Sequence, residues 1–169
     1  VVIEEGVTSI GASAFENCRK LSRVTIPSSV TSIGHHAFVY CDSLTELTIP
    51  EGVKTIGTCA FRTSGLKSVS LPESLTTIED NAFSACMSLT EITIPGGAAV
   101  IGEGAFSNCK ALKSVKISAE SLGSYAFTGC TALTSAELSV KTLGAYAFYE
   151  QETIPSVVLE NTESIGDYA

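Results

Sequence analysis

The chain has 169 residues, 44% of them hydrophobic and 17% charged, with a formal net charge of −8. That is enough apolar material for a packed domain and too little charge for a disordered polymer. The acidic balance excludes the basic stripe that nucleic acid or an anionic membrane requires, and no apolar run approaches the roughly 20 residues that span a bilayer.

Taken from the N-terminus, VVIEEGVTSI lacks the charged start and cleavage pattern of a signal peptide and reads instead as the interior of a repeat. Gly11, Ala14 and Phe15 follow, and the same order then recurs. The seven phenylalanines, Phe15, Phe38, Phe61, Phe83, Phe106, Phe127 and Phe148, are separated by 23, 23, 22, 23, 21 and 21 residues, each preceded by alanine. Ala169 supplies the alanine of an eighth unit. A fixed period of this length is the signature of a stacked repeat architecture.

The second unit spells out the pattern L-x-x-V-x-I-P-x-x-V-x-x-I-G-x-x-A-F-x-x-C through Leu21, Val24, Ile26, Pro27, Val30, Ile33, Gly34, Ala37, Phe38 and Cys41. Its first part alternates apolar and polar residues with period two and is β-branched, which predicts a short strand buried on one face. Pro27, Pro50, Pro72 and Pro95 lack the amide a continuing ladder needs and should end that strand. A second short strand follows, then a corner at Gly11, Gly34, Gly57, Gly102, Gly123, Gly144 and Gly166, where a positive φ or a close neighbouring backbone is expected. Glu79 interrupts that series. The A-F-x-x-C segment is expected to form a tight, helical turn that drives the phenyl ring inward, each buried ring contributing about 1.5–3 kcal/mol. Ile117–Leu122 and Leu138–Leu143 are two residues shorter than Ile49–Ile56 and lack the proline, so the first corner should tighten there. Stacked about 4.8 Å apart, the units would form a rod on the order of 35 Å long.

This combination of Leu, Pro, Ile-Gly, Ala-Phe and Cys resembles the BspA-like, treponemal-type leucine-rich repeat over essentially the whole chain. The asparagine of commoner leucine-rich repeats is replaced by Ser29, Gly52, Ser74 and Gly97. The resemblance implies a right-handed solenoid, mainly β, with about two short parallel strands and a short helical turn per repeat. It further implies a cell-surface or secreted protein, since several members adhere to host matrix proteins or other cells. Residues 1–169 are expected to form one leucine-rich-repeat domain of seven to eight repeats, a fragment of a longer chain without capping units.

No catalytic, cofactor or metal motif is legible. Cys18, Cys41, Cys86, Cys109 and Cys130 all sit three residues after phenylalanine and read as a core ladder of inert thiols rather than disulfides. Ser64 and Gln151 replace that cysteine without evident compensation. Cys59 lies two residues before Phe61, at a variable position shared with Ser13, His36, Asn81 and Gly104, and is expected to be exposed. His35 and His36 do not form a zinc motif, and no G-x-S-x-G elbow occurs.

Two surface features remain as candidates for binding. The outward positions of the first strand form a hydroxyl-rich strip: Arg23, Glu46, Ser68, Glu91 and Ser114 in one row, and Thr25, Thr48, Ser70, Thr93 and Lys116 in the other. Tyr125, Tyr146 and Tyr168 occupy one ladder position on three successive units and should stack about 5 Å apart. The resemblance implies a non-enzymatic binding or adhesion module for a protein or glycan partner, host or cell-surface protein and extracellular matrix included, and these two features are where such a partner is expected to sit. The alternative is a structural spacer within a larger surface protein.

Overall fold

The computed structural model describes all of residues 1–169 and is a stack of parallel coils. Its strands are β1 (Ser9–Ile10), β2 (Ser32–Ile33), β3 (Glu46–Thr48), β4 (Thr55–Ile56), β5 (Ser68–Ser70), β6 (Thr77–Ile78), β7 (Glu91–Ile101), β8 (Ser114–Leu122), β9 (Ser135–Leu143), β10 (Val157–Glu160) and β11 (Ser164–Ile165). A nine-stranded parallel sheet runs in the order β1-β2-β4-β6-β7-β8-β9-β10, with β11 also on β9, and β3 pairs with β5 in a second sheet. The register places Ile33 beside Ile56 and Ile56 beside Ile78, so equivalent residues form continuous apolar rows.

The coils of β3 with β4 and of β5 with β6 have the two strands and the proline corner anticipated from the pattern, while in the first two coils the first strand is reduced to the single bridge Val2–Thr25. The later coils do not: β8 and β9 run unbroken through the place of the first corner. The corner there is abolished rather than tightened, because removing two residues together with the proline lets the two strands join into one. Pro95 also fails to end its strand. It lies inside β7, where the surplus residues form an irregularity between Ile94 and Ala98 against the shorter β8.

No helix forms in the A-F-x-x-C segment, which corrects the expected helical turn. The reason is local. Residues two before and two after each phenylalanine take left-handed backbone, as at His36 (φ 57°) and Tyr40 (φ 57°), Cys59 (φ 56°) and Thr63 (φ 56°), or Asn81 (φ 55°) and Ala85 (φ 56°). Each such residue is the third of a hydrogen-bonded turn, His36 in Gly34–Ala37 and Tyr40 in Phe38–Cys41, so right-handed helix cannot propagate. Alternate amides are thereby aimed at the following coil. The His36, Phe38 and Tyr40 N–H groups donate to the carbonyls of Thr58 (3.0 Å), Ala60 (2.7 Å) and Arg62 (3.3 Å). The turn is a hydrogen-bonded ladder in its own right.

At the second corner the glycines have ordinary φ, and what requires them is proximity. A Cβ on Gly34 would lie 2.7 Å from the Ala12 nitrogen, and one on Gly57 would lie 2.8 Å from the Gly34 carbonyl carbon. Where Glu79 interrupts the series, its carboxylate accepts hydrogen bonds from the N–H and hydroxyl of Thr58, both at 2.9 Å.

One cluster of 42 buried residues, from Ile10 to Ala147, runs the length of the stack. Its centre is the phenylalanine column, with ring centroids 5.1–5.7 Å apart from Phe15 to Phe148. Phe38, Phe61, Phe83, Phe106 and Phe127 are fully buried, whereas Phe15 is only partly so.

Candidate functional site

The cysteine column lies inside this core and explains itself as structure. Cys41, Cys86, Cys109 and Cys130 each direct Sγ to the phenylalanine carbonyl of the preceding coil, at 3.1–3.2 Å. Burial pushes the Cys41 thiol up to about 11, with the neighbouring Cys18 adding to the effect. A thiol held there stays protonated and is a poor nucleophile at neutral pH. Of the two substitutions in the column, Gln151 restores the bond, although its buried Oε1 has no partner, while Ser64 bonds sideways. Gln151 Nε2 donates to the Phe127 carbonyl at 2.7 Å, copying the thiol's bond with a longer side chain. Ser64 Oγ lies 3.4 Å from Cys86 Sγ. All six cysteines are free; Cys18, at the edge of the core, is exposed.

Cys59 is buried, 7% exposed, contrary to expectation. The variability of its row reflects a shared left-handed backbone rather than shared exposure, and a short thiol sits low among longer neighbours. His35 and His36 are exposed, with His35 Nδ1 3.3 Å from Glu79 Oε2.

Both surface features predicted from the sequence occur. Arg23, Thr25, Glu46, Thr48, Ser68, Ser70, Glu91, Thr93 and Lys116 are exposed, and Ser114 is half-buried. Pairing fixes them in rows: Glu46 beside Ser68 and Thr48 beside Ser70, then Glu91 beside Ser114 and Thr93 beside Lys116. The buried partners in the same strands, such as Ile92, Ile94, Val115 and Ile117, anchor these side chains to the core. Lys116 reaches Glu137 Oε2 at 3.4 Å on the next strand, and Lys141 reaches Glu120 Oε1 at 2.9 Å further along the same two strands.

Shallow grooves lie along this face. One of about 520 Å³ is lined by Thr93, Pro95, Gly96, Lys116, Ser118, Glu137, Ser139, Val158 and Glu160. Another of about 510 Å³ lies between Ser22–Ile26 and Thr45–Pro50, taking in Arg23, Thr25, Glu46 and Thr48.

On the turn side, Tyr125 and Tyr146 stack with centroids 5.0 Å apart and planes within 2°, and Tyr168 stacks on Tyr146 at 5.0 Å. The backbone makes this possible: all three residues are left-handed, with φ of 56–58°, and project their rings in the same direction. A fourth member was missed from sequence. Tyr149 meets Tyr146 edge-on at 5.4 Å and an interplanar angle of 79°. Its signal was present, since the residue after phenylalanine is Glu16, Val39, Arg62, Ser84, Ser107 and Thr128 elsewhere and aromatic only there. Tyr125 is 40% exposed, Tyr149 45% and Tyr168 74%.

A coil of one or two short strands and a tight turned segment, stacked in register over phenylalanine, leucine and cysteine columns, defines a leucine-rich-repeat solenoid. The chain belongs to the BspA type leucine rich repeat region family, whose profile matches in six copies over residues 1–113 and 77–169. A leucine-rich repeat protein from Bacteroides ovatus is 39% identical, with a TM-score of 0.85 over 96% of this chain and 44% of its own. The leucine-rich repeat protein of T. pallidum is 31% identical, with a TM-score of 0.80 over 92% of this chain and 78% of its own. A leucine-rich cell surface protein from Faecalibacterium prausnitzii is 28% identical, with a TM-score of 0.62 over 91% and 52% respectively. This chain thus spans less than half the length of the B. ovatus protein. No match was found among proteins of curated function.

Proposed function

We propose that this chain is a non-enzymatic binding module at a cell surface or in secreted form, presenting its repeat surface to a protein or glycan partner. The observation that carries this reading is the fixed, exposed strip from Arg23 and Thr25 to Ser114 and Lys116, held over shallow grooves. Rows of hydroxyls with scattered charge on a rigid sheet can hydrogen-bond an extended polypeptide or a glycan without prior ordering cost. The tyrosine row of Tyr125, Tyr146 and Tyr168 adds the rigid aromatic area that such a strip otherwise lacks. Similarity to a cell surface protein supports the location.

The test is direct binding of the isolated chain to immobilised extracellular matrix proteins and to a glycan array, with Thr93→Ala/Lys116→Ala and Tyr125→Gly/Tyr146→Gly variants alongside. Glycine is chosen at the tyrosines because their backbone is already left-handed. We expect saturable binding that falls about tenfold or more in one of the two variants. Absence of any saturable ligand would favour the spacer reading, and equal saturable binding by all three proteins would place the binding surface outside both the strip and the tyrosine row.

A further inference from the structure

We infer that the tyrosine cluster takes an arginine-bearing, basic segment of a protein partner, a guanidinium lying on a tyrosine face with a carboxylate beside it. The inference rests on the reading of the tyrosine row as part of a binding surface and names the partner chemistry at that place.

The molecule contains one such arrangement already filled. In the first two coils, the Arg19 guanidinium carbon lies 5.4 Å over the Tyr40 ring, and Arg19 Nη1 is 2.8 Å from Asp42 Oδ2. An exposed tyrosine next to a carboxylate on this scaffold therefore accommodates a guanidinium, which here comes from the chain itself.

Around Tyr146 and Tyr168 the sequence supplies tyrosines and acidic residues, and the cation nearest in sequence, Lys141, is held by Glu120 at 2.9 Å. From Thr142 to Ala169 the chain carries Glu150, Glu152, Glu160, Glu163 and Asp167 and no lysine or arginine. Glu150 directly follows Tyr149, and Asp167 directly precedes Tyr168. The aromatic surface is substantial: Tyr146 is touched by three other rings, and Tyr125 and Tyr149 remain exposed beside it.

Chemistry selects arginine among possible visitors. A guanidinium is planar and weakly hydrated, so it stacks on a ring and still donates to a carboxylate, whereas an ammonium gives up more hydration for the same contact. A neutral sugar ring can lie on an aromatic face but gains nothing from the carboxylates of this acidic segment. Phosphates and acidic glycans are repelled by them.

The experiment titrates the chain with an alternating arginine–glycine octapeptide, its lysine–glycine counterpart and a neutral cello-oligosaccharide, read by calorimetry and tyrosine fluorescence. The arginine peptide is expected to bind, the lysine peptide to bind several-fold more weakly, and both to weaken as salt shortens the screening length. Tyr146→Gly with Tyr149→Leu should lower affinity for the arginine peptide about tenfold, and Glu150→Gln with Asp167→Asn should lower it while leaving the rings in place. Circular dichroism of each variant checks that the coil is retained. Equal affinity of the tyrosine variant and the unaltered chain overturns the inference. Oligosaccharide binding that depends on the tyrosines, with no response to the arginine peptide, overturns it while leaving the binding-surface reading intact. No response to any of the three probes overturns it as well, and the array measurement on the strand-face variants then decides the broader reading separately.

Discussion

Two alanines three residues apart in one turn should respond in opposite directions to the same substitution. Ala85 has φ 56° and is half-buried, whereas Ala82 is fully buried and absent from the left-handed positions. A left-handed conformation costs a residue with a Cβ about 1–2 kcal/mol, and glycine escapes that cost while losing about 0.5–1 kcal/mol more backbone entropy on folding. With about 0.4 kcal/mol lost for its half-buried methyl, Ala85→Gly should therefore stabilise the chain by about 0.5 kcal/mol. At Ala82 glycine brings only the entropic penalty and the loss of a buried methyl, about 0.8 kcal/mol, so Ala82→Gly should destabilise by about 1.5 kcal/mol. With a urea m-value of about 2 kcal/mol/M, the midpoints should move up by about 0.25 M and down by about 0.8 M. Equilibrium urea unfolding followed by circular dichroism is sufficient to measure both. If the two substitutions shift the midpoint in the same direction, left-handed backbone is not what shapes the turn.

Three further outcomes are expected. Phe83→Ala, in the middle of the ring column, should cost about 3–5 kcal/mol in urea unfolding, and Phe15→Ala, at its partly exposed end, distinctly less; equal losses would contradict a column that is packed from both sides only in its interior. A thiol reagent should modify one cysteine per folded chain, at Cys18, and all six after unfolding, counted by mass spectrometry of the labelled protein; rapid native labelling of Cys41 or Cys59 would contradict their burial. The Glu51 carboxyl is held below its ordinary value of 4.5, first by the Glu73 N–H and then, against a small burial effect, by Ser74. A depressed folded value means that its stabilisation is complete above the unfolded value and is lost as pH falls through the folded one. The difference in melting temperature between the unaltered chain and Glu51→Gln should thus be largest near neutrality and shrink below about pH 4.5; a difference independent of pH would exclude this role.

The stack, its period and the identity of the core columns were legible because a solenoid writes each contact several times over. Phe38, Phe61 and Phe83 could be aligned by eye, and alignment is contact in such a fold. The turn was overlooked although Asn17, Asn81, Gly104, Asn108 and Gly129 stand at its left-handed positions, because the same rows hold His36, Tyr40, Thr63, Ala85 and Glu150, which give no such signal. What enforces their backbone is the ladder to the next coil, which only appears once coils are stacked. Cys59 was misplaced for the same reason, since its neighbours in the row are far apart in sequence. Gln151 looked uncompensated because its amide replaces a thiol's hydrogen bond rather than a thiol's size. At the candidate site, strict spacing made the tyrosine row visible, while Tyr149 joins it from a different position of the repeat and falls outside any single-column search.

The first corner alternates in a way that gives the stack a parity. Along the coils it reads Gly6, Ser29, Gly52, Ser74 and Gly97. Where serine follows glycine, the hydroxyl reaches back: Ser29 Oγ accepts from the Gly6 N–H at 3.1 Å and donates to the Val7 carbonyl at 2.8 Å, and Ser74 makes the same pair of bonds to Gly52 (2.9 Å) and Val53 (2.9 Å). Where glycine follows serine, the missing side chain makes room for a carbonyl, since a Cβ on Gly52 would lie 2.8 Å from the Ser28 oxygen and one on Gly97 would collide with that of Glu73. Two kinds of junction thus take turns, and excising one coil from this region would bring two serines or two glycines face to face. Excising two restores the order, so the natural unit for lengthening or shortening this part of the protein is a pair of repeats.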